Sequence, residues 1–193
     1  TSTKPGTGGV TLHTIRWTPD AQPTARPTAE ILLVHGYAEH SGRYEQVARR
    51  FCDAGFAVTS LDHRGHGQTT GVKRGTIDSF PALVDDLVAM VDGIGTDTPL
   101  FVYGHSMGGL IVAGYCLSQR PKPDLVVLSA PALDSTLSSW KKALAPGLGR
   151  IAPTVAVPTG VEGETISRDP SVGAKTAADP LCIKVTTMRL GSE

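Results

Sequence analysis

The chain has 193 residues, 40% hydrophobic and 19% charged, a balance that fits one globular unit able to bury a core. Its 18 basic residues offset 18 acidic ones, and no run of Lys or Arg supplies the footprint that phosphate binding needs, so nucleic acid is not an expected partner. No apolar stretch approaches the roughly 20 residues required to span a bilayer, and Thr1 to Gly9 lacks an apolar signal core, so a cytoplasmic or membrane-peripheral location is expected.

In chain order, Thr11 to Trp17 alternates weakly as a strand does, and the Pro-rich polar stretch Thr18 to Thr28 leads into the main body. Ile31 to Val34 is an apolar run too short for a helix and suited to a strand buried on both faces. Tyr44 to Ala54 follows as a helical pattern, with Val47, Phe51 and Ala54 on one face and a stop at Gly55. Phe56 to Leu61 reads as the next strand. Ser79 to Val91 then carries Phe80, Leu83, Val84, Leu87, Val88 and Val91 at helical spacing. A third strand, Leu100 to Tyr103, runs into a turn at Ser106, and the helix opening there, with Leu110 to Gln119 as its body, ends before Pro121. Leu125 to Leu128 closes the series as a fourth buried strand. Strands alternating with helices predict an α/β fold, a mostly parallel sheet with right-handed crossovers and helices on both faces. From Ala132 the theme changes, because Pro146, Pro153, Pro158, Pro170 and Pro180 punctuate a stretch with little strand signal. Residues 1–131 are therefore assigned to the core and 132–193 to an inserted cap. The three cysteines, Cys52, Cys116 and Cys182, are odd in number and far apart, which argues for reduced, buried thiols.

Gly104-His105-Ser106-Met107-Gly108 is a GxSxG segment, weak evidence by itself. Its setting is informative, because a strand precedes it and a helix follows, as a nucleophile elbow demands. Such a turn crowds its neighbours, so the positions two before and two after the serine must be small. The helix behind it aims unpaired N–H groups at the spot where an anion would develop. Acyl transfer needs two such donors. The Met107 N–H is one candidate, and the Tyr37 N–H, on the His35-Gly36-Tyr37 turn that ends the Ile31 to Val34 strand, is the other.

Three stretches together resemble the signatures of the monoglyceride lipase group of α/β-hydrolases: His35-Gly36-Tyr37-Ala38-Glu39-His40-Ser41-Gly42-Arg43-Tyr44, Asp62-His63-Arg64-Gly65-His66-Gly67 and Gly104-His105-Ser106-Met107-Gly108-Gly109. Leu128-Ser129-Ala130-Pro131 is similar to the strand end that follows in that group. Ile166-Ser167-Arg168-Asp169-Pro170 and Ala178-Asp179-Pro180-Leu181 resemble its cap. The resemblance implies hydrolysis of a single acyl ester, typically a monoacylglycerol, with Ser106 as nucleophile, Tyr37 and Met107 as oxyanion donors, and no metal or cofactor. Carboxylesterase, lysophospholipase and peptidase chemistry remain open on the same scaffold, as does a non-catalytic binding role.

The fold's triad runs Ser, then Asp or Glu, then His along the chain, yet all six histidines, His13, His35, His40, His63, His66 and His105, precede Ser106. A serine hydroxyl needs an adjacent base, so the resemblance implies an Asp and a His beyond Glu193, delivered by a C-terminal segment of the same protein. Asp134 is an alternative acid in a variant layout. His63 and His66 sit in a Gly-rich loop, where bracing is expected rather than metal binding. In the cap, Leu137, Trp140 and Leu144 form an apolar stripe at helical spacing after the possible caps Asp134 and Ser135. That stripe reads either as an ordinary packed face or as a substrate-binding wall of an acyl-chain tunnel or a face that touches membrane transiently.

Overall fold

The computed structural model describes residues 1–19, 26–95, 97–134, 147, 150–152, 154–159 and 166–189. Six strands form one sheet, β1 (Ser2–Pro5), β2 (Thr11–Trp17), β3 (Glu30–Val34), β4 (Ala57–Leu61), β5 (Leu100–His105) and β6 (Leu125–Ser129), in the order β1-β2-β4-β3-β5-β6. β1 and β2 pair antiparallel and β2 joins β4 antiparallel, whereas β4, β3, β5 and β6 run parallel. This is the expected mostly parallel α/β sheet.

β3 and β4 are buried along their whole length; Ile31 to Val34 of β3 is apolar, and the polar Thr59 and Ser60 of β4 are hydrogen-bonded to Arg16 and to the Leu33 carbonyl. Side chains alternate across the sheet. Leu32 and Val34 join a core with Leu83 and Leu87 of α2 (Phe80–Asp92) and Ile111 and Val112 of α3 (Met107–Leu117). Ile31 and Leu33 face the other way, into a core with Ala48 and Cys52 of α1 (Glu45–Asp53). Helices therefore cover both faces. α2 starts where the Ser79 hydroxyl accepts from the Ala82 N–H at 3.4 Å, with Pro81 in its first turn, where the missing N–H costs nothing.

α3 begins at Met107, directly on the serine, and ends at Leu117, before Pro121 as expected. Two features depart from the expected elements. β1 carries no apolar alternation and is largely exposed, so the sequence offered no signal for it. The region beyond Ala132, expected to hold little strand, contains β7 (Ala156–Pro158) paired antiparallel with β8 (Val185–Thr187), and the helix α4 (Pro170–Ala178). Asp169 caps α4 by accepting from the Ser171 N–H at 2.9 Å.

Residues 180–187 are tied by hydrogen bonds to the loops that follow β3 and β4. The Ile183 N–H donates to the Ala38 carbonyl at 2.9 Å, the Thr187 N–H donates to the Gly75 carbonyl at 2.8 Å, and the Arg74 guanidinium donates to the carbonyls of Pro180 and Leu181. The apolar stripe Leu137, Trp140 and Leu144 lies outside the described residues.

Candidate active site

The site sits where parallel α/β sheets place their ligands, outside the carboxyl ends of the strands. β5 ends at His105 and α3 starts at Met107, leaving Ser106 alone on the turn with φ 51° and ψ −118°. A non-glycine residue in that conformation is strained by about 1–3 kcal/mol and persists only when its surroundings dictate it. Here they do. The Ser106 N–H donates to the Ser129 carbonyl of β6, and the Ser106 carbonyl accepts from the N–H groups of Leu110 and Ala132, all within 3.1 Å.

The flanking glycines are required by contact. A Cβ on Gly108 would lie 2.2 Å from the Val34 carbonyl oxygen and 2.5 Å from that of His35; one on Gly104 would meet the Gly108 oxygen at 2.6 Å. α3 can therefore press its first turn against the end of β3. The Met107 N–H, at the start of that helix, has no hydrogen-bond partner among the described residues. The Tyr37 N–H is in the same condition, on a turn close enough that a Cβ on Gly36 would lie 3.2 Å from the Ser106 Cβ. Ser106, the start of α3 at Met107 and the Tyr37 turn thus lie beside one another. Ser106 and Tyr37 line a cleft of about 260 Å³, with Glu39 and Arg43 on the core side and Ile166 and Val172 from the cap. The sequence singled out no role for these last four residues. Glu39 ties the polar side together: its carboxylate accepts from the Gly36 N–H at 2.7 Å, the Tyr44 hydroxyl at 2.5 Å and the Arg43 Nε at 3.3 Å. Burial and the adjacent Glu39 carboxylate push the Tyr44 phenol up, so it stays a donor.

Behind the Tyr37 turn lies a group of imidazoles. His35, His63 and His66 are completely buried, with the His35 ring 4.2 Å from that of His63 and 5.6 Å from that of His66, centre to centre. Burial is the main cause that holds His35 and His63 well below the usual histidine range and His66 down to about 4. All three are neutral at neutral pH. His63 Nδ1 and His66 Nε2 have no hydrogen-bond partner among the described residues.

Asp62 and Arg64 secure the same loop. The Asp62 carboxylate accepts from the Ser41 N–H and hydroxyl, the Gln68 N–H and His13 Nδ1, at 2.6 to 3.1 Å. The buried Arg64 makes a two-point contact with Asp86 of α2 at 2.7 and 2.8 Å, and reaches Asp78 at 2.6 Å and the Thr7 hydroxyl at 2.6 Å. Burial opposes the Arg64 charge, but these carboxylates outweigh it and hold the guanidinium above its ordinary value.

His40, Asp179 and Cys182 also meet, with their donor atoms within 4.8 Å of one another. Their contacts suit a hydrogen-bonded cluster better than a metal. The Gly42 N–H donates to His40 Nδ1 at 3.2 Å, which leaves the proton on Nε2, and Nε2–H donates to the Asp179 carboxylate at 2.9 Å. Arg43 brings a positive charge to Cys182 Sγ at 3.6 Å. Burial raises Asp179, but the His40 contact, the Leu181 N–H and the nearby Arg43 charge together outweigh it and keep the carboxyl below its usual range. Each histidine is therefore occupied elsewhere: His13 on Asp62, His40 on Asp179, His105 Nδ1 on Ser129, and the other three around the Tyr37 turn. None hydrogen-bonds the Ser106 hydroxyl.

A serine lifted on a strand-turn-helix elbow, at the end of a parallel sheet covered by helices on both sides, defines an α/β-hydrolase. The chain belongs to the family described as Serine aminopeptidase, S33, which matches residues 25–193. It is 40% identical over 181 residues to a monoacylglycerol lipase of Mycolicibacterium smegmatis, covering 91% of this chain and 62% of that protein. It is 34% identical over 169 residues to the phospholipase YtpA of Bacillus subtilis, covering 85% of this chain and 64% of that protein. Its fold matches the crystal structure of a Paleococcus ferrophilus monoacylglycerol lipase with a TM-score of 0.80 and 33% identity, over 94% of this chain and 67% of the other. The chain thus spans somewhat under two thirds of the length of these two curated relatives.

Proposed function

We propose that the protein containing this chain is a serine esterase that cleaves monoacylglycerols to fatty acid and glycerol through an acyl-enzyme on Ser106. The observation that supports the reading is the strained Ser106, beside which the backbone N–H groups of Tyr37 and Met107 have no partner among the described residues. In this scheme Ser106 Oγ attacks the acyl carbonyl while a base takes its proton. The resulting oxyanion is held by the Tyr37 and Met107 N–H groups. Collapse breaks the ester C–O bond as the protonated base gives its proton to the departing glycerol oxygen; water, deprotonated by the same base, then attacks the acyl-enzyme, and the second collapse frees the fatty acid while the base returns the proton to Ser106 Oγ.

The choice of monoacylglycerol rests on the lipase relatives and on a cleft with an acidic and a basic side chain, Glu39 and Arg43, at one wall and Ile166 and Val172 at another. An acyl chain and a polyol would each find suitable contacts there. The family description favours one competing reading, a peptidase on amides. In the full-length protein a fluorophosphonate should label Ser106, and Ser106→Ala should abolish labelling and lower turnover by several orders of magnitude. Medium or long monoacylglycerols should show higher kcat/KM than triacylglycerols or aminoacyl amides. An adduct on another serine defeats the nucleophile, and equal or faster amide cleavage moves the protein to the peptidase reading.

A further inference from the structure

We propose that His35 and His63 act together as positioning residues for the oxyanion site, locking the peptide that carries the Tyr37 N–H; this rests on the esterase reading above. The hydrogen bonds around the rings assign both tautomers. The His63 backbone N–H donates to His35 Nε2 at 3.0 Å, so that nitrogen is bare and the His35 proton resides on Nδ1. His35 Nδ1–H then donates to the Gly36 carbonyl at 2.7 Å. His63 Nε2–H donates in turn to the His35 carbonyl at 3.1 Å.

Consider the two peptide groups on either side of Gly36. In the first, the His35 carbonyl is held by His63 and the Gly36 N–H by Glu39. In the second, the Gly36 carbonyl is held by His35, and the Tyr37 N–H alone has no partner among the described residues. A trans peptide is planar and its C=O and N–H point in opposite directions. Fixing the Gly36 carbonyl on one side therefore fixes the Tyr37 N–H on the other. Glycine has no Cβ to restrict its own rotation, so without the clamp this peptide is free to flip. An oxyanion donor works because it is oriented before charge develops. The rings are well suited to hold it. They are fully buried and packed against each other, and His63 Nδ1 has no partner among the described residues, where the ring's one hydrogen bond is to the His35 carbonyl.

The test uses matched amide substitutions in the full-length enzyme with a soluble p-nitrophenyl ester. His35→Asn places an amide N–H where Nδ1 stood and keeps the bond to the Gly36 carbonyl; His35→Gln reaches the Nε2 position and loses it. His63→Gln keeps a donor at the Nε2 position, and His63→Leu removes it. His35→Gln and His63→Leu should lower kcat by about 10–100-fold, a part of what loss of a whole oxyanion donor costs, with KM changed less than about threefold. His35→Asn and His63→Gln should recover most of that loss. A role in stability alone would move thermal midpoints but would not split each pair in kcat. Equal kcat within both pairs overturns the proposal, as does a His35→Gln faster than His35→Asn. If His63→Leu does not fold, the His35 pair decides. Wild-type protein that hydrolyses esters and labels at Ser106, with unsplit pairs, removes the positioning role and leaves the esterase reading standing. Hydrolysis that survives Ser106→Ala removes both.

Discussion

At the scale of single residues, the site is decided by what is missing from the side chains around it. Gly108 and Gly36 both border Ser106, but a methyl group would meet different things at the two positions. At Gly108 it would overlap backbone carbonyls of β3, which move only if the central strand moves; at Gly36 the nearest atom, at 2.8 Å, is the end of the Glu39 side chain. Overpacking against fixed atoms costs about 1–3 kcal/mol or more. Gly108→Ala should therefore lower the thermal midpoint by several degrees or abolish folded protein. Gly36→Ala should fold with a smaller shift and lose turnover instead, because displacing Glu39 frees the Gly36 N–H. Gly147, where an added Cβ meets nothing within 4 Å, is the control and should tolerate alanine. Thermal unfolding and ester turnover on the same samples check all three, and a Gly108→Ala protein as stable and active as wild type would refute the contact argument.

At the scale of elements, the three buried imidazoles join the loop after β3 to the loop after β4, and that junction has a pH dependence with a definite sign. Unfolded histidine takes a proton near its ordinary pKa of about 6.5, whereas His66 in the fold does so only at about 4, and His35 and His63 are held down in the same direction. As pH falls through this window the unfolded state binds protons that the folded state refuses. Stability is therefore full above about pH 6.5 and falls by about 1.4 kcal/mol per pH unit for each such histidine down to its folded pKa. Urea midpoints should drop steeply across that range, and His66→Asn should make the slope shallower by removing one titrating ring. A slope unchanged in His66→Asn would mean that other groups set the acid limit. Much of this level was legible in the sequence. Ile31 to Val34 and Leu125 to Leu128 announced strands because their runs are apolar and bounded, and Ser79 to Val91 announced a helix because its apolar residues recur at helical spacing. β1, β7 and β8 were illegible for a physical reason: they have four, three and three residues and are held by backbone pairing, with no apolar period to read. The elbow was legible from two glycines around a serine. The imidazole clamp was not, since His35 and His63 are 28 positions apart and only the parallel pairing of β3 with β4 brings their loops together.

At the scale of the whole molecule, the parallel sheet ends on β6, whose Leu125, Val127 and Leu128 are 47%, 39% and 39% exposed. An apolar edge of this kind invites pairing with another strand. The serine is also short of a partner: all six histidines are engaged with other groups, so none stands ready to take the Ser106 proton. We propose that both needs are met by residues of the intact protein outside 1–193, which supply strands beyond β6 and, from their ends, an Asp-supported histidine beside Ser106. Oxyanion donors polarise a carbonyl but do not remove a proton, and general-base assistance is worth about 10²–10⁴-fold on its own. Residues 1–193 expressed alone should therefore hydrolyse esters at or near background and be poorly soluble. A chain extended to the length of the relatives, or the missing segment added as a second polypeptide, should restore turnover and an acid limb in kcat/KM that reports the base. If residues 1–193 alone matched the longer protein in turnover, with Ser106 still required, one of the six histidines would have to leave its present partner to serve as base. His105, next to the serine and held by two bonds of 3.2 and 3.3 Å to Ser129, would be the first to replace.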